Sequence, residues 1–328
     1  MRAWIIEKFE GVEHMKLADV PDPKPAADEV VLDVRYAALN PADYYLAQAQ
    51  YPAKPPLPHI LGRDGIGVIS AVGPGNANFK VGDTGLILRS EIGVSRWGTL
   101  AERVAVPVES LVRPPAGWTE QESAAAPLVY LTAYQALTQW GEPKPGVVLV
   151  TGASGGVGVA TIHLAAALGH RVIALSRSEE KRAKLIAEGA SLALDPQDPE
   201  WNKRLKEQIA PGRVDLAVDN VGGDQFPRVI DTLGMWGKVS LVGQLAGPVP
   251  NLNLGTLFFR RIRVGGVAVG TYTPQESQAA WKAVVEIMNR AGKKPIIDSV
   301  HPFERTSDAL AQLQRGPMGK VLIAVRGG

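Results

Sequence analysis

The chain predicts an α/β protein of two domains, a β-rich one followed by a doubly wound parallel sheet. Three observations predict it. An apolar β-branched run, Val147-Val148-Leu149-Val150, ends in a glycine-rich turn, Thr151-Gly152-Ala153-Ser154-Gly155-Gly156-Val157-Gly158. Ahead of that turn the chain is a series of short apolar runs broken by Pro and Gly, the texture of a compact β-rich domain. After it, strand-like and helix-like segments alternate, which is how βαβ units build a parallel sheet.

The elements follow in order. In the β-rich part, Met1 to Glu7, Glu29 to Arg35, Gly65 to Val72, Asp83 to Leu88 and Leu100 to Val106 are expected strands. The first of these reads as a strand and not as a signal peptide. Six parallel strands are expected at 147–150, 171–175, 192–194, 214–219, 238–243 and 263–269. The helix after the glycine turn runs from Val159 to Leu168, with Gly169 placed to cap it. A helix from Glu179 to Glu188 opens at Ser178 and ends at Gly189. Another runs from Pro274 to Arg290; Thr273 and Glu276 form its capping box and Pro274 takes the first position. Lys320 to Val325 is a last strand that returns to the first domain. The domains are thus expected at 1–121 with 270–328, and at 122–269.

The glycine turn carries the chemistry. Its glycines let backbone N–H groups approach a pyrophosphate, and the helix N-terminus favours negative charge. Ser154, Gly155, Gly156 and Val157 are the expected phosphate contacts, and Gly158 lets the helix pack close to the strand. Arg171-Val172-Ile173-Ala174-Leu175 is the next strand, and Ser176 ends it. An NAD enzyme carries Asp or Glu there, about 20 residues past the turn, for the ribose 2′-hydroxyl. This chain has Ser176-Arg177-Ser178, with Lys181 one turn on. A carboxylate repels a 2′-phosphate, whereas hydroxyls and a guanidinium bind it. The expected cofactor is therefore NADPH.

Composition bounds the rest. The chain has 328 residues, 35 Lys and Arg against 33 Asp and Glu, and no cysteine. Dispersed charge of both signs implies no nucleic-acid surface. No apolar run approaches a membrane span. Without cysteine there are no disulfides and no thiolate metal sites, and a cytoplasmic enzyme is expected.

The turn also fits the Thr-Gly-xxx-Gly-x-Gly pattern of short-chain dehydrogenases. Those carry it near the N-terminus and need a Tyr with Lys four residues on. None of Tyr36, Tyr44, Tyr45, Tyr51, Tyr130, Tyr134 and Tyr272 has one. The domain order points elsewhere. Leu39-Asn40-Pro41-Ala42-Asp43, Gln50-Tyr51-Pro52, Gly62-Arg63-Asp64-Gly65-Ile66-Gly67-Val68, Phe79-Lys80-Val81-Gly82-Asp83, Leu131-Thr132-Ala133-Tyr134 and Asp219-Asn220-Val221-Gly222-Gly223 occur in sequence. With these the chain resembles the medium-chain dehydrogenase/reductase superfamily over nearly its whole length. Within it the chain looks like the zinc-free quinone oxidoreductase (zeta-crystallin-like) branch. The resemblance implies a GroES-like β-rich domain and a Rossmann domain. His163 departs from it, because this branch commonly has Gln there.

The resemblance also implies what is missing. Zinc alcohol dehydrogenases carry a Cys where this chain has Asn40, a His-Glu pair where it has Arg63-Asp64, and a second Cys near Val129-Tyr130. Asn and Arg cannot replace thiolate and imidazole as tetrahedral zinc ligands, so no metal is expected. His14, His59, His163, His170 and His301 show no ligand spacing, and His59 reads as a loop histidine. Without a Lewis acid, the acceptor has to be electrophilic already: a quinone, or a C=C bond conjugated to a carbonyl.

By the same resemblance Asn40, Tyr45 and Tyr51 line the cleft facing the nicotinamide. An Asn amide or Tyr hydroxyl stabilises charge building on the acceptor oxygen, and Tyr51 can supply the proton that completes enone reduction. Arg63 is expected to pair with Asp64 or Asp43 and pin a loop. The rest of the cofactor site is expected outside the carboxyl ends of the strands, at Asn220, at Val242-Gly243 and at Val267-Ala268. The low-bulk strand through Gly265 and Gly266 is an expected sheet edge, and edges invite pairing; since the family often dimerises through it, a homodimer is expected. Phe258, Phe259 and the tryptophans are expected in core or interface. Three readings stay open: an NADPH:quinone reductase, an enoyl-thioester or enone reductase, and an NADPH-binding protein without turnover. The loops near 45–58, 89–98 and 244–257 are expected to set the pocket.

Overall fold

In this computed structural model residues 1–75, 78–88, 91–249 and 251–326 are described; parts of the expected pocket loops, residues 89–90 and 250, lie outside them. The chain divides into two units. One comprises Met1–Leu128, Val269–Lys282 and Lys294–Gly328, and the other Val129–Ala268 and Ala283–Lys293.

Most strands of the first unit fold because they bury one or both faces. In chain order they are Arg2–Ile6 (β1), Lys16–Asp19 (β2), Glu29–Ala38 (β3), His59–Ile60 (β4), Asp64–Val72 (β5), Thr84–Ile87 (β6), Arg103–Pro107 (β7) and Leu111–Val112 (β8). The helix Pro41–Ala47 (α1) follows β3, and Glu120–Ala124 (α2) and Pro127–Thr138 (α3) follow β8. β2, β1 and β4 form a small antiparallel sheet. β3 is the spine of the larger one, paired with β5 and with β7, both antiparallel. Its Val30, Leu32 and Val34 are fully buried with Ile69, Val104 and Val106. Each such side chain contributes about 1.5–3 kcal/mol relative to exposure.

The second unit holds Val147–Val150 (β9), Gly156–Ala167 (α4), Arg171–Leu175 (β10), Glu179–Ala187 (α5), Leu192–Leu194 (β11), Trp201–Ile209 (α6), Val214–Asp219 (β12), Gln225–Thr232 (α7), Leu233–Leu241 (β13), Leu254–Arg260 (α8) and Arg263–Gly266 (β14). The sheet order is β11-β10-β9-β12-β13-β14, and every pairing is parallel. The crossover falls between β9 and β12, the switch point at which doubly wound sheets bind ligands. Four strands begin and end where the sequence places them. The fifth starts earlier, at Leu233 instead of 238, because a bulge between Val214 and Leu216 carries the ladder past Trp236, whose φ is 64°. The sixth closes at Gly266, and a helical turn, Val269–Thr271, replaces its expected end.

The remaining elements are the helix Pro274–Ala291 (α9), the strand Ile297–Pro302 (β15), the helix Thr306–Gln314 (α10) and the strand Lys320–Ala324 (β16). Thr273 and Glu276 cap α9 reciprocally, as expected. β16 returns to β3 in antiparallel register, Leu322 against Ala38. β15, which pairs parallel to β16, had no expectation in the sequence. No helix among the described residues is long and apolar enough to cross a membrane.

Candidate functional site

Five segments lie at the carboxyl ends of adjacent parallel strands in the second unit. They are the glycine turn after β9, Ser176-Arg177-Ser178 after β10, Asn220 after β12, Val242-Gly243 after β13 and Val267-Ala268 after β14. Backbone bonds stitch them together: Ala153 N–H to Leu175 O at 3.1 Å, Val242 N–H to Asp219 O at 2.8 Å and Val267 N–H to Leu241 O at 2.8 Å.

In the glycine turn Gly152 has φ 56°. A Cβ on Gly158 would meet Gly152 O at 2.5 Å and Ala153 Cα at 2.6 Å, so only glycine allows this approach of helix to turn. No side chain caps α4 at Gly155, leaving its first N–H groups to a ligand. Thr151 Oγ1 donates to Asp219 and accepts from Asn220 N–H at 2.9 Å. Burial pushes the Asp219 carboxyl up, and the Thr151 hydroxyl and the Val221 and Gly222 N–H groups act against it. Asn220 Nδ2 donates to Thr151 O at 2.7 Å, while its Oδ1 is buried with no partner among the described residues. A buried orphaned acceptor and a cradle that a Cβ would fill fit a dinucleotide that brings N–H or O–H donors.

At the end of β10, Ser176 is buried and Arg177 exposed. The Ser178 hydroxyl is already engaged as the cap of α5, accepting from Lys181 N–H at 3.3 Å. Arg182, which drew no expectation, donates to Ser176 O and Arg177 O, both at 2.9 Å, and braces this loop. Its place one turn into α5 was the available signal.

The expected acceptor residues belong to the first unit. Asn40 precedes α1, and its N–H donates to Asp43 Oδ2 at 2.8 Å. Its amide is not free, contrary to expectation. Nδ2 donates to Ala38 O at 3.2 Å and to Asp64 Oδ2 at 2.9 Å, and Oδ1 accepts from Lys320 Nζ at 2.7 Å. Lys320 also meets Asp64 at 3.0 Å, with side chains only 4% and 2% exposed. Leu128 N–H donates to the other Asp64 oxygen at 3.0 Å. Asp43 is fully buried; burial pushes its carboxyl up, against the N–H groups of Asn40 and Gly62 and the charges of Arg63 and Lys320.

Tyr45 and Tyr51 are half-buried, and neither hydroxyl has a hydrogen-bond partner among the described residues. Burial raises the Tyr45 hydroxyl. The Tyr51 ring packs against the core of the first unit. Arg63 does not pair with Asp64, which Lys320 has taken, and meets Asp43 only through its charge, with no ion pair or hydrogen bond between them among the described residues; its guanidinium lies over the Tyr51 ring, 5.4 Å from the centroid. His59 is no loop histidine but a buried residue of β4. Lys320 was missed. The signal was there: it shares a strand face with Leu322, so it is buried with it. His163, the departure from the family pattern, is buried on α4 between the Tyr130 hydroxyl at 2.8 Å and Glu188 at 2.9 Å.

Comparison with known proteins agrees with this geometry. Residues 26–116 match the alcohol dehydrogenase GroES-like domain, and residues 156–290 match the zinc-binding dehydrogenase family. The chain is 32% identical to the human synaptic vesicle membrane protein VAT-1 homolog, over 98% of this chain and 86% of that protein. It is 31% identical to acryloyl-coenzyme A reductase of Sulfurisphaera tokodaii, over 94% of this chain and 96% of that one. The crystal structure of Escherichia coli quinone oxidoreductase complexed with NADPH superposes with a TM-score of 0.90 at 25% identity, covering 99% of this chain and all of that one. An NAD-dependent alcohol dehydrogenase superposes equally, at 29% identity, over 99% of this chain. The chain therefore belongs to the medium-chain dehydrogenase/reductase superfamily of oxidoreductases, in its zinc-independent quinone oxidoreductase branch.

Proposed function

We propose that this chain is an NADPH-dependent oxidoreductase that passes a hydride to a quinone or another conjugated carbonyl acceptor. One observation carries the reading. The carboxyl end of the parallel sheet offers a backbone cradle closed at Gly158, and the neighbouring strand ends in Ser176-Arg177 with no carboxylate to repel a 2′-phosphate.

When bound, the nicotinamide supplies the hydride from its C4. The chain does the rest. Gly155, Gly156, Val157 and Gly158 present N–H groups to the pyrophosphate, with Ser154 beside them. Ser176 and Arg177 hold the 2′-phosphate; Lys181 adds charge, and Ser178 acts through the helix it caps. Asn220, Val242, Gly243, Val267 and Ala268 frame the ribose and ring, and Asn220 Oδ1 accepts from them. In the first unit the unengaged Tyr51 hydroxyl donates to the acceptor oxygen as charge builds there, and it gives the proton that completes C=C reduction. Tyr45 offers a second free hydroxyl. Asn40 is a positioning residue: with both amide hydrogens engaged, it orders α1 and Asp64.

Enone or enoyl-thioester reduction is the second reading, favoured by the 31% identity to an acryloyl-coenzyme A reductase. The cysteine-free chain fits a cytoplasmic place. A homodimer through β14 fits the apolar surface beside it: α8 buries none of its side chains, Phe258 and Phe259 are 63% and 76% exposed, and Met235 is 61% exposed.

The test is oxidation of NADPH and NADH, with EDTA present, by 1,4-benzoquinone, a simple enone and crotonyl-CoA. Turnover of NADPH with the quinone is the expected result. Turnover confined to the enone or thioester moves the function to C=C reduction, and no turnover with any acceptor overturns both.

A further inference from the structure

Arg63 is a buried cation that makes no hydrogen bond or ion pair among the described residues. The residue is 8% exposed, and its Nε is buried without a hydrogen-bond partner. No oxygen among the described residues accepts from its guanidinium, whose Nη nitrogens form the end that reaches solvent. An arginine carries five N–H donors and keeps its charge at every working pH. Burying such a group unpaired is costly, so a site that keeps one has a use for it.

The surroundings do not supply the partner. Asp64 is taken by Lys320, Asn40 Nδ2 and Leu128 N–H. Asp43 accepts from the N–H groups of Asn40 and Gly62. The Arg63 charge acts against the burial that raises the Asp43 carboxyl, but no hydrogen bond joins the two among the described residues. The guanidinium is held over the Tyr51 ring, 5.4 Å from its centroid, so one small molecule can touch both Arg63 and the Tyr51 hydroxyl.

We propose that Arg63 is an anion-binding residue of the acceptor site, selecting acceptors whose conjugated system carries a carboxylate a few bonds from the carbonyl. The proposal rests on the hydride-transfer reading and deepens it. The carboxylate takes two parallel N–H bonds from the guanidinium, and the carbonyl oxygen takes the Tyr51 hydroxyl. Unsaturated oxo-acids and carboxylated quinones have this form.

Binding and turnover are read separately. The binding probe is 3-benzoylpropionate, a saturated oxo-acid with no C=C bond to reduce, compared by calorimetry with its methyl ester in the presence of NADP+. The wild-type protein is expected to bind the acid at least about tenfold more tightly, the scale of a hydrogen bond to a charged group. Arg63→Met keeps a stem of similar length and is expected to erase the preference. Arg63→Lys keeps the charge but not the fork, retains part of the preference, and serves where Arg63→Met fails to fold. Equal wild-type binding of acid and ester, or a preference that survives Arg63→Met, overturns the proposal. Turnover uses 3-benzoylacrylate and its methyl ester with NADPH, and the acid-to-ester ratio of kcat/KM is expected to fall by the same factor in Arg63→Met. A binding preference without turnover of either compound contradicts the hydride-transfer reading and keeps the anion site. Turnover without preference contradicts the anion site and keeps the reading.

Discussion

The two units of the chain build their candidate site residues from different materials. The dinucleotide half is backbone: glycines and N–H groups in short contiguous segments, ordered by the register of a parallel sheet. The acceptor half is side chain: a buried knot of Asn40, Asp43, Asp64 and Lys320, with Lys320 lying 280 positions from Asn40. The first half fails when atoms are added to it, the second when a partner is removed. A fold can therefore keep the backbone half for a general cofactor and vary the side-chain half for the acceptor.

The sharpest test of that contrast is Lys320→Met. It leaves Asp64 buried without its cation and Asn40 Oδ1 without its donor. Breaking a buried ion pair from one side costs about 3–5 kcal/mol, and denaturant unfolding reads it directly. A loss below about 1 kcal/mol means that solvent reaches the pair and the knot is no framework. Gly158→Ala probes the other half. Its methyl would press on Gly152 O and Ala153 Cα, an overpacking cost of about 1–3 kcal/mol, with weaker NADPH binding in a fluorescence titration. Unchanged affinity would mean that the turn is not the cradle. The smallest expected effect belongs to Arg177→Gln. Exposed Arg177 loses its bonds to a 2′-phosphate, and the NADPH-over-NADH preference falls about tenfold, the low end for a charge-assisted bond. A preference that stays puts the discrimination in Ser176 and the absence of an acid.

The same contrast explains what the sequence could and could not show. Strands buried on both faces read as unbroken apolar runs, so β9 and β10 were legible to the residue; β11, half-buried, and β12, interrupted by exposed Asp215, were legible too from their short apolar stretches, as were the glycine turn and the Thr273–Glu276 capping box. β13 was misread at its start because a bulge and a positive φ at Trp236 look like a turn. The site residues Asn40, Tyr45 and Tyr51 came from family resemblance, and their partners did not come with them. Arg63 was expected to pair with Asp64 or Asp43. Successive residues entering a strand point to opposite faces, and Asp64 turns to Lys320 instead. Lys320 was hidden for the converse reason: a lysine reads as surface until the burial of its strand face is known.

The central claim is hydride transfer without a metal, and single-turnover kinetics with NADPH dideuterated at nicotinamide C4 test it most directly. With EDTA in excess and 1,4-benzoquinone or a simple enone as acceptor, the account predicts slower transfer from the labelled cofactor and no effect of the chelator. Equal rates with labelled and unlabelled NADPH across the transfer step, or transfer abolished by EDTA, would contradict it.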